Sequence, residues 1–256
     1  MHIETLFSLE GRTALVTGGS RGIGRMIAEG YLRSGVRTYI TARKADACDA
    51  AAKDLSQYGH CVSLPADVST PTGIQDLTNR YREHESSLDI LVNNAGAAWG
   101  APFDDFPESG WDKVMDVNVK TPFFLTQALK SDLMAAADGH LAKVINIASI
   151  DGISLNPQET YSYQASKAAL IQLTRRMALR LIEDGIAVSA IAPGAFASDM
   201  NKDARDHADE LGSVIPSGRI GEPADIAGTA IYLASRAGDY VVGSTLALDG
   251  GITHAR

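Results

Sequence analysis

Tyr163 and Lys167 stand four residues apart, a spacing that puts a phenol and an ammonium on one face of a helix. A tyrosine phenol ordinarily titrates near about 10, and an ammonium within reach favours the phenolate, lowering that value by roughly 1 to 3 units. The pair is therefore expected to exchange protons near neutral pH, as general acid-base chemistry requires. Eight tyrosines and eight lysines in 256 residues supply such a pair by chance in about one chain of four, so the spacing needs support from elsewhere. Tyr161, two residues earlier, has Ala165 four positions on and cannot share the lysine's face in the same way.

A second constellation works through the side chains it lacks. In the run Thr-Gly-Gly-Ser-Arg-Gly-Ile-Gly at 17–24, Gly18, Gly22 and Gly24 let the backbone turn sharply and approach a ligand closely. A helix beginning near Ile23 then offers free amides to a pyrophosphate, with Ser20 and Arg21 in the same turn. The spacing is Gly-x-x-x-Gly-x-Gly rather than Gly-x-Gly-x-x-Gly, so the strand-turn-helix context carries the reading. About 20 residues on, where an acid would accept from an adenine ribose 2′-hydroxyl, the sequence is Thr41-Ala42-Arg43-Lys44. Two cations there, with Arg21 in the turn, fit a 2′-phosphate and predict NADP(H) rather than NAD(H). The alternative is that Arg43 and Lys44 simply begin a solvated helix.

The elements that must position these groups follow from short β-branched runs alternating with longer amphipathic ones. Strands are predicted at 13–17, 38–42, 61–65, 89–93, 143–147, 187–191 and 245–249. Near-continuous apolar strands mean burial on both faces, hence a mostly parallel seven-stranded sheet with helices on each side. A single Rossmann-type, doubly wound α/β domain over 1–256 is expected, with 194–217, polar and following a strand end, as a substrate lid. A disordered surface loop is the other reading of that segment.

Composition narrows the function classes. With 23 basic against 31 acidic residues the net charge is −8, which favours neither nucleic acid nor an anionic membrane. The longest apolar runs fall short of the roughly 20 residues needed to cross a bilayer. The start of the chain, with His2, Glu4 and Glu10, lacks the basic opening and long apolar core of a signal peptide, so a cytoplasmic location is expected. Cys48 and Cys61 show no metal-ligand spacing and read as two ordinary thiols, with no metal expected.

The glycine turn, Asn93-Asn94-Ala95-Gly96, Asn118, Ser149, Tyr163-x-x-x-Lys167 and Pro193-Gly194 follow one another as they do in short-chain dehydrogenases/reductases, which the chain resembles from about Leu9 to Gly251. The resemblance implies that Tyr163 gives a proton to a carbonyl oxygen as hydride arrives, or takes it back in oxidation. It implies that Lys167 lowers the phenol's pKa and holds the nicotinamide ribose. Ser149 would hydrogen-bond the substrate oxygen, and Asn118 would help hold a relay water, a role compatible with satisfying backbone groups inside a helix. Asp67 and Val68 match the family's adenine contact, Asn94 to Gly96 the nicotinamide side, and Pro193, Gly194, Phe196 and Ser198 the stretch against carboxamide and diphosphate. Trp99, Asp151, Tyr161 and Phe196 are candidates to line the substrate pocket, although large aromatics more often pack than bind.

Within the family, the segment 161–167 and Trp99-Gly-Ala resemble 3-oxoacyl reductases of the rhamnolipid type. Relatives that act on acyl carrier protein present arginines at two positions that here hold Ala137 and Asp184, so a carrier-protein partner is doubtful on charge, with Arg175, Arg176 and Arg180 as the other basic groups on that helix. The expected substrate is a 3-oxoacyl thioester or a free ketone, with sugar, polyol or steroid alcohols as alternatives. A homotetramer is implied, packing through helices around 112–133 and 163–183 with Phe123, Phe124, Leu170 and Leu173. The rival class is a sensor or scaffold that binds NADP(H) without chemistry, for which the Ser149 and Tyr163 hydroxyls would be superfluous.

Overall fold

The structure is a computed structural model that describes residues 2–198, 204 and 206–255. Seven strands form one sheet in the order β3-β2-β1-β4-β5-β6-β7. They are β1 (Thr13–Thr17), β2 (Arg37–Thr41), β3 (Cys61–Ser63), β4 (Ile90–Asn93), β5 (Ala142–Ile147), β6 (Ile186–Pro193) and β7 (Thr245–Leu248). All pairings are parallel, from Thr13 beside Arg37 to Pro193 beside Leu248. The order reverses between β1 and β4, and at such a point a crevice opens beyond the carboxyl ends of the strands.

Strands β1, β4, β5 and β6 are buried along their whole length. Alternate side chains feed opposite cores. Ala14 and Val16 pack with α2 (Gly22–Arg33), α3 (Ala45–Leu55) and α10 (Pro223–Ala234). Leu15 packs with α4 (Pro71–Arg82), α6 (Thr121–Ala128), α7 (Lys130–Ala136) and α8 (Tyr161–Leu181) on the other face. Helix α5 (Glu108–Met115) packs on α8, and the short helices α1 (Ile3–Phe7) and α9 (Ala208–Ser213) lie outside these two layers' main contacts. The predicted strands are all present, β1 with the predicted ends and the others shifted: β6 runs two residues beyond prediction, through Pro193, because β7 continues to pair there.

A buried polar ladder sets the register of α8 over the sheet. Asn93 Nδ2 donates to Asn146 Oδ1 at 2.9 Å, and Asn146 Nδ2 donates to Thr174 Oγ1 at 2.9 Å. A buried amide left unpaired costs about 1–3 kcal/mol, so sliding α8 along β5 is opposed at this point.

Of the segment 194–217, residues 199–203 and 205 lie outside the described residues. Its ends are anchored: Gly221 N–H donates to Ala195 O at 2.8 Å, and Ser217 N–H to Gly250 O at 3.0 Å. Among the described residues no helix is long and apolar enough to cross a membrane. Leu170 is buried and Leu173 is half-buried against the core around α8, whereas Phe123 and Phe124 are exposed with rings edge-on at 5.2 Å.

Candidate active site

The β1–α2 turn is held open by its glycines. Gly18 and Gly22 have φ of 66° and 53°, in the left-handed region, and a Cβ at Gly24 would sit 2.5 Å from the Gly18 carbonyl oxygen. Thr17, to which the sequence assigned no role, locks this turn to the loop after β4. Its hydroxyl accepts the Asn94 and Ala95 N–H groups at 2.9 Å each and donates to Val92 O at 3.2 Å. Asn94 Nδ2 returns bonds to Thr17 O at 2.8 Å and Gly18 O at 3.3 Å. A cavity of about 340 Å³ opens beside the turn, lined by Arg21, Gly22, Arg25, Ala197 and Ser198. Ser20 and Ile23 are half-buried in the same turn.

At the carboxyl end of β2, Arg43 and Lys44 are exposed, and neither side chain has a hydrogen bond or ion pair with another described residue; Lys44 O accepts from Cys48 N–H at 3.0 Å as α3 begins. Asp67 is exposed after β3, its carboxylate accepting from Ser69 N–H at 3.1 Å and Ser69 Oγ at 2.6 Å. The Val68 side chain is buried in the core, leaving only its backbone for an adenine contact. Pro193 closes β6, and Gly194 N–H donates to Leu248 O at 2.9 Å.

Beside this turn, β5 and α8 form a corner of buried polar groups. Ser149 follows β5, and its hydroxyl accepts the Asp151 N–H at 3.1 Å. Lys167 is 5% exposed, donates from Nζ to Ile147 O at 2.8 Å, and lies 5.6 Å from the Tyr163 ring centroid. The turn at Ile150–Gly152 reaches the helix because Gly152 has no side chain: a Cβ there would be 2.6 Å from the Lys167 carbonyl carbon.

The acidity of the corner differs from the expectation. Burial pushes the Tyr163 phenol up to about 12, a hydrogen bond with Ser149 pulls it back, and the Asp151 carboxylate raises it further. Burial brings the Lys167 ammonium down to about 8, opposed by Asp151. Lys167 is therefore not what sets the phenol's acidity in the protein alone: its ammonium points to a backbone carbonyl, and desolvation outweighs charge at both groups.

Asn118 satisfies backbone groups, as a polar residue inside a helix is expected to. It sits in a π-helical turn, Asp116–Lys120, joining α5 to α6. Its Oδ1 accepts Ala97 N–H at 2.9 Å, while Nδ2 donates to Ala97 O and Ser166 Oγ, each at 2.9 Å. The carboxamide is thus engaged with protein groups at both its oxygen and its nitrogen.

The aromatic candidates divide. Phe196 is 2% exposed in the core, with its ring against Gly221, and cannot line a pocket. Trp99 lies on Gly110 beneath Lys113, as packing for α5. Tyr161 points away from Tyr163, as positions two apart on a helix must. Its hydroxyl donates to Glu159 at 3.0 Å and its ring meets Phe103 and Phe106 edge-on at 5.6 and 5.8 Å. Of the four, only Asp151 acts on the corner.

A family model described as enoyl-(acyl carrier protein) reductase matches residues 18–253. The chain belongs to the short-chain dehydrogenase/reductase family. This short-chain dehydrogenase/reductase is 47% identical over 249 residues, 96% of this chain and 97% of the other, to the rhamnolipids biosynthesis 3-oxoacyl-[acyl-carrier-protein] reductase of Pseudomonas aeruginosa. It is 37% identical, over 98% of each chain, to a 2-dehydro-3-deoxy-D-gluconate 5-dehydrogenase of Bacillus subtilis. Among solved structures, the Pseudomonas aeruginosa RhlG/NADP active-site complex matches with a TM-score of 0.94 at 47% identity, covering 99% of this chain and 100% of that one. Membership makes the chain an oxidoreductase, of a family whose relatives here include both 3-oxoacyl reductases and sugar-acid dehydrogenases.

Proposed function

We propose that this enzyme uses NADPH to reduce a ketone to a secondary alcohol, with Tyr163 as proton donor. The observation that carries the reading is a corner that brings Ser149, Tyr163 and buried Lys167 together, with Lys167 Nζ 5.6 Å from the Tyr163 ring centroid, next to a glycine cradle with exposed Arg43 and Lys44 at its far end. The cradle fits a dinucleotide, since only glycine at positions 18 and 24 lets the turn close against Asn94 and so present its backbone to a ligand. A Cβ would lie 2.8 Å from the Asn94 amide nitrogen at the first position and inside contact distance of it at the second. Gly18 to Gly24 would hold the pyrophosphate, Arg43 and Lys44 the 2′-phosphate, and Asn94 to Gly96, Pro193, Gly194 and Ser198 would border the nicotinamide half. When bound, the cofactor supplies the hydride.

Tyr163, with its phenol near 12, is protonated at neutral pH and so carries the proton that reduction consumes. Ser149 fixes the carbonyl oxygen within reach of that proton and stabilises charge growing on it. Lys167, brought to about 8, holds its proton at neutral pH while able to share it with a ribose hydroxyl. Asp151 adds negative charge close to the reacting centre, which disfavours a carboxylate there. That supports a 3-oxoacyl thioester or free ketone over a sugar acid. The Asp184 carboxylate is engaged by Lys130 at 2.9 Å and Arg180 at 2.8 Å, so the carrier-docking position is neutralised and not bare acid, and docking is neither strongly attracted nor repelled. Phe123 and Phe124 support self-association through α6.

The test is a nicotinamide absorbance assay with NADPH and NADH against acetoacetyl-CoA, a neutral aliphatic ketone and a keto-sugar acid. Oxidation of NADPH with the first two and little with the third is expected. Turnover of the sugar acid alone would overturn the substrate reading.

A further inference from the structure

Ser166 lies inside the Tyr-Lys spacing and has been given no part in the chemistry. It is fully buried, and its hydroxyl has two partners. It accepts from Asn118 Nδ2 at 2.9 Å and donates to the carbonyl oxygen of Tyr163 at 2.7 Å. Asn118 in turn pairs with both backbone groups of Ala97, directly after Gly96. One chain of hydrogen bonds therefore runs from the loop after β4, through the π turn, to the backbone of the residue that carries the phenol. We propose that Ser166 is a positioning residue for the reduction, fixing where Tyr163 stands relative to the loop that borders the nicotinamide.

The physical argument rests on directions. An α-helical carbonyl already accepts from the N–H four residues on, so the extra bond from Ser166 tilts the Tyr163 carbonyl toward the Ser166 side and with it the first turn of α8. That carbonyl belongs to a helix otherwise held over β5 at Ile147–Lys167 and Asn146–Thr174, both on the sheet side. Ser166 supplies the hold to the Asn118 side. Without it, Asn118 Nδ2 keeps one bond of two in a residue 1% exposed, a buried N–H is left unpaired, and the π turn loses its link to α8. A phenol that drifts by a fraction of an ångström still sits in its pocket but no longer aligns with the carbonyl oxygen, and alignment is what proton transfer depends on. The loss therefore falls on turnover and not on cofactor affinity.

This inference rests on the reductase reading, and two readouts keep the two apart. The first compares wild type with Ser166→Ala, Ser166→Cys, Asn118→Ala and the Ser166→Ala/Asn118→Ala pair, using NADPH with acetoacetyl-CoA. Both serine variants are expected to lower kcat by roughly 10- to 100-fold, with NADPH affinity by fluorescence titration within about twofold. The double variant should be no slower than the worse single one, because both break the same chain. Cysteine keeps the volume but is a poor acceptor, so wild-type kcat in Ser166→Cys would overturn the proposal, as would additive losses. The second readout needs no substrate: the tyrosinate absorbance of the NADP⁺ complex, less that of the Tyr163→Phe complex, gives the titration of Tyr163. Ser166→Ala should move that midpoint upward, since a displaced phenol loses its Ser149 bond; an unmoved midpoint contradicts the proposal even if no substrate tried is turned over.

Discussion

The two edges of the sheet handle their cations in opposite ways. At the amino-terminal edge, Lys143 opens β5 at 2% exposure with its ammonium 2.6 Å from Asp239, and Arg37 opens β2 in a two-pronged pair with Glu85 at 2.7 and 3.0 Å. At the carboxyl-terminal edge, Lys167, packed against the end of β5, has a backbone carbonyl as its partner, and Arg43, just past β2, has none among the described residues. Both lysines are pulled down by burial, but Asp239 pushes Lys143 back up through a direct bond, whereas Asp151 acts on Lys167 only at a distance. The lesson is that a cation left short of carboxylates by the fold marks where a ligand is to sit, and a cation matched within the protein marks where the fold is being held.

Breaking the comparison at its sharpest point gives the largest effect. Lys167→Met should lower kcat by about 100-fold or more while raising the stability of the cofactor-free protein. Holding that ammonium at about 8 against its ordinary 10.5 costs roughly 3 kcal/mol at neutral pH. Chemical denaturation should show a gain of that order, up to what repacking the methionine permits. Lys143→Met should leave activity intact while removing the tie to Asp239; a loss of activity in Lys143→Met as deep as in Lys167→Met would erase the distinction between the edges.

At the other pair, Arg43→Asp should weaken NADPH by roughly 10- to 100-fold and NADH little, read by titration with each cofactor, while Arg37→Ala should leave the ratio of the two unchanged. An unaltered preference in Arg43→Asp would mean that another group reads the 2′-phosphate.

The remaining effect is in the pH dependence of stability. Between about 8 and 10.5, folded Lys167 has released its proton while the unfolded chain keeps it, so the unfolded state binds more protons and stability rises with pH across that window. Below 8 the penalty is constant. Urea midpoints of the cofactor-free protein should show this rise, and Lys167→Met should lack it.

Much of this was legible in the sequence, and the failures share a cause. The seven strands could be read because burial on both faces leaves near-continuous apolar runs, and the glycine turn because missing side chains are visible as such. The wiring of Asn118 to Ala97 and Ser166 was not, since those partners lie 21 and 48 residues away and no periodicity marks them. An aromatic such as Phe196 can line a pocket or pack, and sequence does not choose; its ring turns inward onto Gly221, a matter of three-dimensional packing. The acidity of Tyr163 is not legible for a related reason: spacing gives the distance between two groups along a helix but not how far each is withdrawn from solvent.

The central claim, that Tyr163 is a loaded proton donor in a preformed cofactor site, is tested most directly by Tyr163→Phe. This variant should bind NADPH within about twofold of wild type yet lose roughly 1,000-fold in kcat with acetoacetyl-CoA. Near-normal turnover, or loss of turnover only in step with loss of NADPH binding, would contradict it.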